Sequence, residues 1–325
     1  MPVRNAGPFL SECLGSIRNQ SITDWELIAV NDHSTDNSNQ ILKAHSKVDH
    51  RIKFIQNEGV GIISALKIGY QFSSGRFITR MDADDRMPSH KLEILYSILC
   101  RHGQGSLSTG KVKYISENAL GDGYRKYEQW LNGLCDTNNH YMDIYKECVI
   151  PSPCWMMFRS DFEAIGGFDS DRYPEDYDLC FRMYAHKIKV EASHEILHVW
   201  RDHGGRASRN DENYADNRFL DLKLNYFLEL DYTSSERLVL WGAGKKGKYL
   251  ARILIQRNIS FDWVTNNAKK VGLYIYDKKI KPTSTVAQSN VKTKIILAVA
   301  NAAEQKEIVD SIEKSEGFLT IFKFC

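Results

Sequence analysis

No apolar run in this chain of 325 residues approaches the ~20 residues that a membrane-spanning helix needs. Nor does it open on a charged segment followed by an apolar one, as a secretory leader would. The reading excluded is an integral membrane protein; the expectation is a cytoplasmic enzyme, or one peripheral to the inner face of the membrane. Cysteine is sparse as well. The seven cysteines are an odd number, and none forms a C-x-x-C pair. That excludes a disulfide framework and a zinc ribbon and leaves reduced, mostly buried thiols as the expectation. Low-complexity tracts and internal repeats are absent too, which removes the disordered and solenoid classes. What remains is ordinary globular material, 42% hydrophobic and 26% charged, long enough for two domains.

Net charge is only +2, but it is unevenly spread. From Glu236 onward there are 16 Lys/Arg against 8 Asp/Glu, a balance of +8, while the preceding residues carry 27 against 33. A basic half hints at a polyanionic partner; a solvated lysine-rich surface explains it equally well.

The most informative segment is Asp82-Ala83-Asp84-Asp85, delivered by the apolar run from Phe77 to Met81. The run reads as a buried strand. A strand that stops in three carboxylates places them at the carboxyl edge of a sheet, where α/β folds bind ligands. Closely spaced carboxylates repel unless a cation sits between them, so the pattern suits a hard divalent metal. An acidic turn before the helix expected over Pro88 to Arg101 is the plain alternative, with Asp85 capping that helix.

Two further segments bear on this choice. The first runs from Pro2-Val3-Arg4-Asn5 through an apolar helix and a strand over Trp25 to Val30, into Asp32-His33-Ser34-Thr35-Asp36-Asn37-Ser38. The second is Pro174-Glu175-Asp176-Tyr177-Asp178-Leu179, with Arg182 following. In order and separation these closely resemble the family 2 glycosyltransferases over residues 1 to about 210. The resemblance implies a GT-A fold: an α/β domain with a mostly parallel sheet flanked by helices. It implies inverting transfer of a hexose from a nucleoside-diphosphate sugar, with Mn²⁺ or Mg²⁺ as cofactor and a UDP-sugar as donor.

By the same resemblance Asp176 is the catalytic base, with Glu175 orienting it or touching the donor. Asp84 is a metal ligand and Asp82 a contact to ribose or metal. Asp32 recognises the base, since a carboxylate accepts from the imide N–H of uracil. His198 to Arg206 resembles the segment that folds over the diphosphate, making His203 a metal or phosphate contact and Arg201 a phosphate clamp. Trp155 is a candidate platform for a sugar. Each has a structural alternative: first-turn acids for Glu175 and Asp176, an Asx turn for Asp36, a surface histidine, a core tryptophan. Asp178 and Arg182 are spaced to pair across one helical turn.

Family members place a strand ahead of the P-x-x-N turn, and residue 1 already stands at that turn, so the first strand is expected to be missing and the start codon to lie upstream. Residues 1–230 form the expected transferase domain and 236–325 a second one. The latter opens with a strand, Leu238 to Trp241, feeding Gly242-Ala243-Gly244-Lys245-Lys246-Gly247 and a helix, the dinucleotide-binding fingerprint. Its next strand ends in Thr265-Asn266-Asn267 where an acid should hold the ribose, which weakens a nucleotide role and favours a Rossmann-like packing module. An NAD-dependent enzyme or a non-catalytic nucleotide-binding protein stays open beside the transferase. In layout the whole chain resembles the animal β-1,3-N-acetylglucosaminyltransferase-like group linked to galactosylation of queuosine in tRNA. The acceptor therefore stands as a cell-surface glycan, a lipid-linked sugar or tRNA.

Overall fold

The computed structural model describes residues 1–116, 119–205, 218–286, 291–313 and 318–325. It separates into two compact units. The first comprises Met1–Tyr141 and Cys148–Arg209, the second Met142–Glu147 and Asn210–Cys325. Helix Arg218–Leu230, placed by the sequence at the end of the first domain, falls in the second unit. The start of that helix as expected, 213–217, lies outside the described residues.

In the first unit, β1 (Pro2–Val3), β2 (Leu27–Asn31) and β3 (Ile52–Gln56) form one parallel sheet. The two residues Pro2–Val3 of the P-x-x-N segment thus take an edge position beside β2. Pro2 lies opposite Val30 and Val3 opposite Asn31. Helix α1 (Gly7–Arg18) buries Leu10, Cys13, Leu14 and Ile17, an i, i+3, i+4, i+7 stripe that gives it one apolar face. Helices α2 (Ser38–Val48) and α3 (Ile62–Gln71) complete this βα half.

A second sheet holds β4 (Phe77–Thr79), β5 (Ser106–Ser116), β6 (Trp155–Phe158) and β7 (Lys189–Asp202) in the order β4-β6-β5-β7. Strand β6 runs antiparallel to both neighbours, while β5 and β7 are parallel. All four residues of β6 are buried, which accounts for its unbroken apolar sequence. Around this sheet stand α4 (Lys91–His102), α5 (Asp122–Thr137), α6 (Arg159–Ala164) and α7 (Glu175–Ala185). Among the described residues no helix is long and apolar enough to cross a membrane.

The second unit contains α8 (Arg218–Leu230), β8 (Arg237–Trp241), α9 (Lys245–Gln256), β9 (Asp262–Thr265), β10 (Tyr274–Ile275), β11 (Lys278–Pro282), β12 (Thr293–Leu297), α10 (Ala302–Glu313) and β13 (Leu319–Lys323). Its sheet runs β10-β11-β9-β8-β12-β13 and is parallel except at the β10–β11 hairpin. The segment 142–147 joins this unit through Tyr145, which stacks on Phe324 at 5.3 Å and meets Phe227 edge-on at 5.8 Å. Asp143 adds an ion pair to Lys323 at 3.0 Å.

Candidate active site

Strand β2 delivers Asp32 into a buried position at the carboxyl edge of its sheet. The carboxylate accepts from Asn57 Nδ2 at 2.7 Å and from the Gly61 backbone N–H at 3.0 Å, with the Arg4 guanidinium 3.6 Å away. Its loop neighbours do different work. Ser34 Oγ, Ser38 Oγ and Asp36 Oδ2 accept in turn from the backbone N–H groups of Asn5, Ala6 and Gly7, at 3.0, 2.9 and 2.8 Å. The alternating polar residues thus clasp the turn that starts α1 and satisfy N–H groups the helix leaves unpaired. Asp36 therefore holds the turn, while Asp32 is buried with both oxygens engaged by Asn57, Gly61 and Arg4.

Past β4 the chain turns through Arg80 to Asp85. Asp84 Oδ2 lies 2.9 Å from His203 Nε2, and both side chains are partly exposed. Arg201 donates from Nε to the Asp84 carbonyl at 3.0 Å, pairs with Glu12, and lies over the Phe9 ring at 4.9 Å. Asp85 is different. It is buried, accepting from the Arg201 N–H at 2.8 Å and lying 2.9 Å from His198 Nε2. His198 Nδ1 sits 3.2 Å from Lys91 Nζ, which donates to the Pro153 carbonyl at 2.6 Å. Burial pushes the Lys91 ammonium down from its ordinary pKa. Lys91 as donor to Nδ1 implies a neutral His198 that donates from Nε2 to Asp85. The expected cap on the Pro88 helix is not formed: α4 starts at Lys91 behind His90 with no side-chain cap, and Asp85 instead anchors β7.

Helix α7 begins with Glu175 and Asp176, and Arg80 ties it to the acidic edge. Arg80 donates from Nη1 to Glu175 at 2.9 Å and from Nε to Asp82 at 3.2 Å. Burial opposes the guanidinium charge, but Asp82, Glu175 and Asp176 together hold it protonated above its ordinary range. Asp176 is pushed up to about 7, first by burial and then by the Glu175 charge beside it. Arg80, Ser152, Trp155, Phe168, Glu175 and Asp176 line one recess. Trp155 is almost wholly buried and stacks on Phe162 at 5.8 Å, so it offers the recess a wall fixed by the core. Asp178 pairs with Arg182 at 2.9 Å as its spacing predicts.

The sequence reading passed over Arg80. A cation inside an apolar run, two residues ahead of a carboxylate cluster, was the available signal, because such a charge must find a partner when buried. Asn57, Gly61 and Glu12, drawn in by the chain path, carried no such mark.

The Glycosyl transferase family 2 model matches residues 1–166, just over half of the chain. The chain belongs to that family. That family is one of glycosyltransferases. Glycosyltransferase GlyA of Streptococcus pneumoniae is 30% identical over 217 residues, 64% of this chain but 31% of GlyA, so the chain spans about a third of that relative. An uncharacterized glycosyltransferase of Haemophilus influenzae is 28% identical over 80% of this chain and 85% of its own length. The Escherichia coli protein WfgD, named as a UDP-Glc:α-D-GlcNAc-diphosphoundecaprenol β-1,3-glucosyltransferase, is 32% identical over 37% of this chain and 47% of its own. Among solved structures, S. aureus TarS 1–349 in complex with UDP superposes with a TM-score of 0.51 at 15% identity, covering 71% of this chain and 65% of that one. Mannosyltransferase PcManGT from Pyrobaculum calidifontis, in complex with GDP-Man and Mn²⁺, also gives 0.51, at 16% identity over 70% and 61%. These neighbours establish the GT-A type of fold. The curated relatives named here are bacterial and lend no support to the animal queuosine-linked group that the layout suggested.

Among the described residues no group of three or more His, Cys, Asp or Glu side chains is arranged to hold a metal. The donor set nevertheless fits one held jointly with substrate. Asp84 and His203 bring a carboxylate and an imidazole to one partly exposed point. A hard cation bound by few protein groups takes its remaining ligands from phosphate oxygens and water.

Proposed function

We propose that this chain is an inverting, divalent-cation-dependent transferase that moves a hexose from a UDP-sugar to an acceptor hydroxyl in glycan assembly. The observation that carries the reading is the Arg80 bridge. It joins the strand-terminal carboxylate Asp82 to the first turn of α7, bringing a donor-binding edge and a candidate base into one unit.

In this reading Asp32 receives the uracil imide, and Asp82 a ribose hydroxyl. Asp84 and His203 would hold Mg²⁺ or Mn²⁺, which offsets the negative charge that develops on a departing diphosphate. Asp176 takes the proton of the acceptor hydroxyl as its oxygen bonds to the anomeric carbon and the bond to UDP breaks. One in-line displacement inverts that carbon. Arg201, already engaged by Glu12, exchanges that partner for a phosphate when a donor enters. Trp155 and Phe168 give the sugar an apolar wall, the usual use of aromatic faces at such sites.

A lipid-linked sugar is the favoured acceptor, because WfgD is named for one. The basic balance of residues from Glu236 onward supports a second reading, a tRNA acceptor. Loss of tRNA binding with salt, flattened by reversing lysines, is the property that reading requires. The direct test of the main reading is calorimetry with UDP. Binding should need Mn²⁺, and Asp84→Asn should remove the dependence. Equal affinity in EDTA and in Mn²⁺ would sink the proposed metal role.

A further inference from the structure

The second unit presents a hairpin that the transferase reading leaves without a task. Strands β10 and β11 pair antiparallel, with Tyr274 opposite Lys279 and Ile275 opposite Lys278. Between them Tyr276 and Asp277 both have left-handed φ angles, 51° and 59°, so the connection is a tight two-residue turn. Strand β10 forms the edge of the sheet.

Its side chains are unusual for an exposed tip. Leu273 is 51% exposed, Tyr274 68% and Tyr276 48%. Three large apolar or aromatic groups within four residues make a patch, unlike scattered surface hydrophobes. Lys279 stands opposite Tyr274 and Lys278 opposite Ile275, with Asp277 as the one acid of the turn. Asp262, nearby, is committed to Arg237 at 2.7 Å and to Lys281.

We propose that this hairpin is a membrane-interface contact, seating Leu273, Tyr274 and Tyr276 at the headgroup level of a bilayer whose acidic phospholipids meet the lysines. Tyrosine has an apolar ring and a polar tip, which suits the headgroup region. Lysines near an anionic leaflet add attraction that falls off within a Debye length. RNA would use the same lysines and could stack on the tyrosines, but it gives the exposed leucine nothing. An acyl boundary does. The inference is compatible with the lipid-linked acceptor proposed above and is tested without it.

The experiment is co-sedimentation of the full chain with vesicles of phosphatidylcholine alone and with about one-third phosphatidylglycerol. Binding is expected to the anionic vesicles, much weaker to the neutral ones, and lost in high salt. Lys278→Glu with Lys279→Glu should lower the partition by about 10-fold or more, at about 1 kcal/mol for each charge removed near the surface. Leu273→Ser with Tyr274→Ser and Tyr276→Ser should lower it similarly while the melting temperature stays within a few degrees. Indifference to both variants, or no binding to anionic vesicles, overturns the proposal. So does tRNA binding that depends on the lysines but not on Leu273, in the absence of vesicle binding. UDP affinity measured on the same variants should not move, which separates failure here from failure of the transferase reading.

Discussion

At the scale of single residues, the recess around Asp176 sets two opposing demands. A carboxyl raised to about 7 by burial and by Glu175 is a base near neutral pH and an acid below it. Turnover, including slow hydrolysis of the donor by water, should therefore fall about tenfold per unit below pH 7. Asp176→Asn should abolish it while leaving UDP affinity within a few-fold. The stability sign runs the other way. The folded pKa lies above the unfolded one of 3.8, so the native state binds the extra proton, and stability is lost as pH rises between the two. Asp176→Asn should therefore melt higher than the parent at pH 8, with the advantage gone near pH 4. An inactive variant no more stable at pH 8 than its parent would refute the buried-base account. Arg80 holds the same cluster together. Arg80→Met leaves Asp82 and Glu175 without their shared cation, and losing one partner of a buried pair costs about 3–5 kcal/mol. The acidic limb should also move to higher pH, because the Arg80 charge lowers the pKa of Asp176. Arg80→Lys, which keeps the charge, should restore the limb and part of the stability. Melting and pH–rate profiles on the three proteins decide it.

At the scale of elements, the glycine fingerprint after β8 shows what a motif can and cannot promise. Gly242 has φ +123°, and a Cβ on Gly247 would lie 2.0 Å from the Gly242 carbonyl oxygen. These two glycines serve the turn and the packing of α9 against it. Gly244, whose counterpart in a dinucleotide site lets the backbone approach a pyrophosphate, has open space where a Cβ would go. Asn266, at the ribose position, accepts from the Trp241 indole at 2.5 Å, and Lys270 closes on the Ala243 carbonyl at 2.8 Å. Both side chains are thus engaged by the protein itself, and no acid stands at the ribose position. Gly247→Ala should thus cost about 1–3 kcal/mol through overpacking, while Gly244→Ala stays within about 0.5 kcal/mol in urea unfolding. Comparable losses from both would contradict this division. Elements with a clear period or apolar run were legible in the sequence: α1, β2, α7 and β8 all fall near their expected places. Strand β7 was not, because its polar and apolar residues carry little rhythm and it is fixed from outside, by Asp85 and by eleven register partners on β5. The β10–β11 hairpin escaped notice for a similar reason, since its turn is Tyr276-Asp277 with no glycine to announce it. Of the site, the carboxylates could be read from their positions at strand and helix ends. The ties between them, Arg80 above all, depend on which ends the topology brings together.

At the scale of the molecule, the division into two units gives ligands separate addresses. In the main reading every residue proposed to touch donor or acceptor, from Asp32 to His203, lies in the unit built from 1–141 and 148–209. The glycine loop lies in the other. A ligand that binds only the folded form stabilises the unit that holds it, by about 2.7 kcal/mol at a hundred times its dissociation constant. Chains with two compact units often unfold in more than one step, so the effect can be located. In a calorimetric scan, UDP with Mn²⁺ should raise the transition of the first unit by several degrees and leave the other in place. Should the units unfold together, the single transition should still rise with UDP and Mn²⁺, and Asp32→Ala or Asp84→Asn should cancel the rise. NADH should move nothing, because Asn266 stands where a ribose-binding acid would be needed and Lys270 is engaged by the Ala243 carbonyl. A shift of the second transition by NADH, retained in Asp32→Ala and lost on changing Asn266, would instead make the C-terminal unit a dinucleotide site and return the oxidoreductase reading to contention.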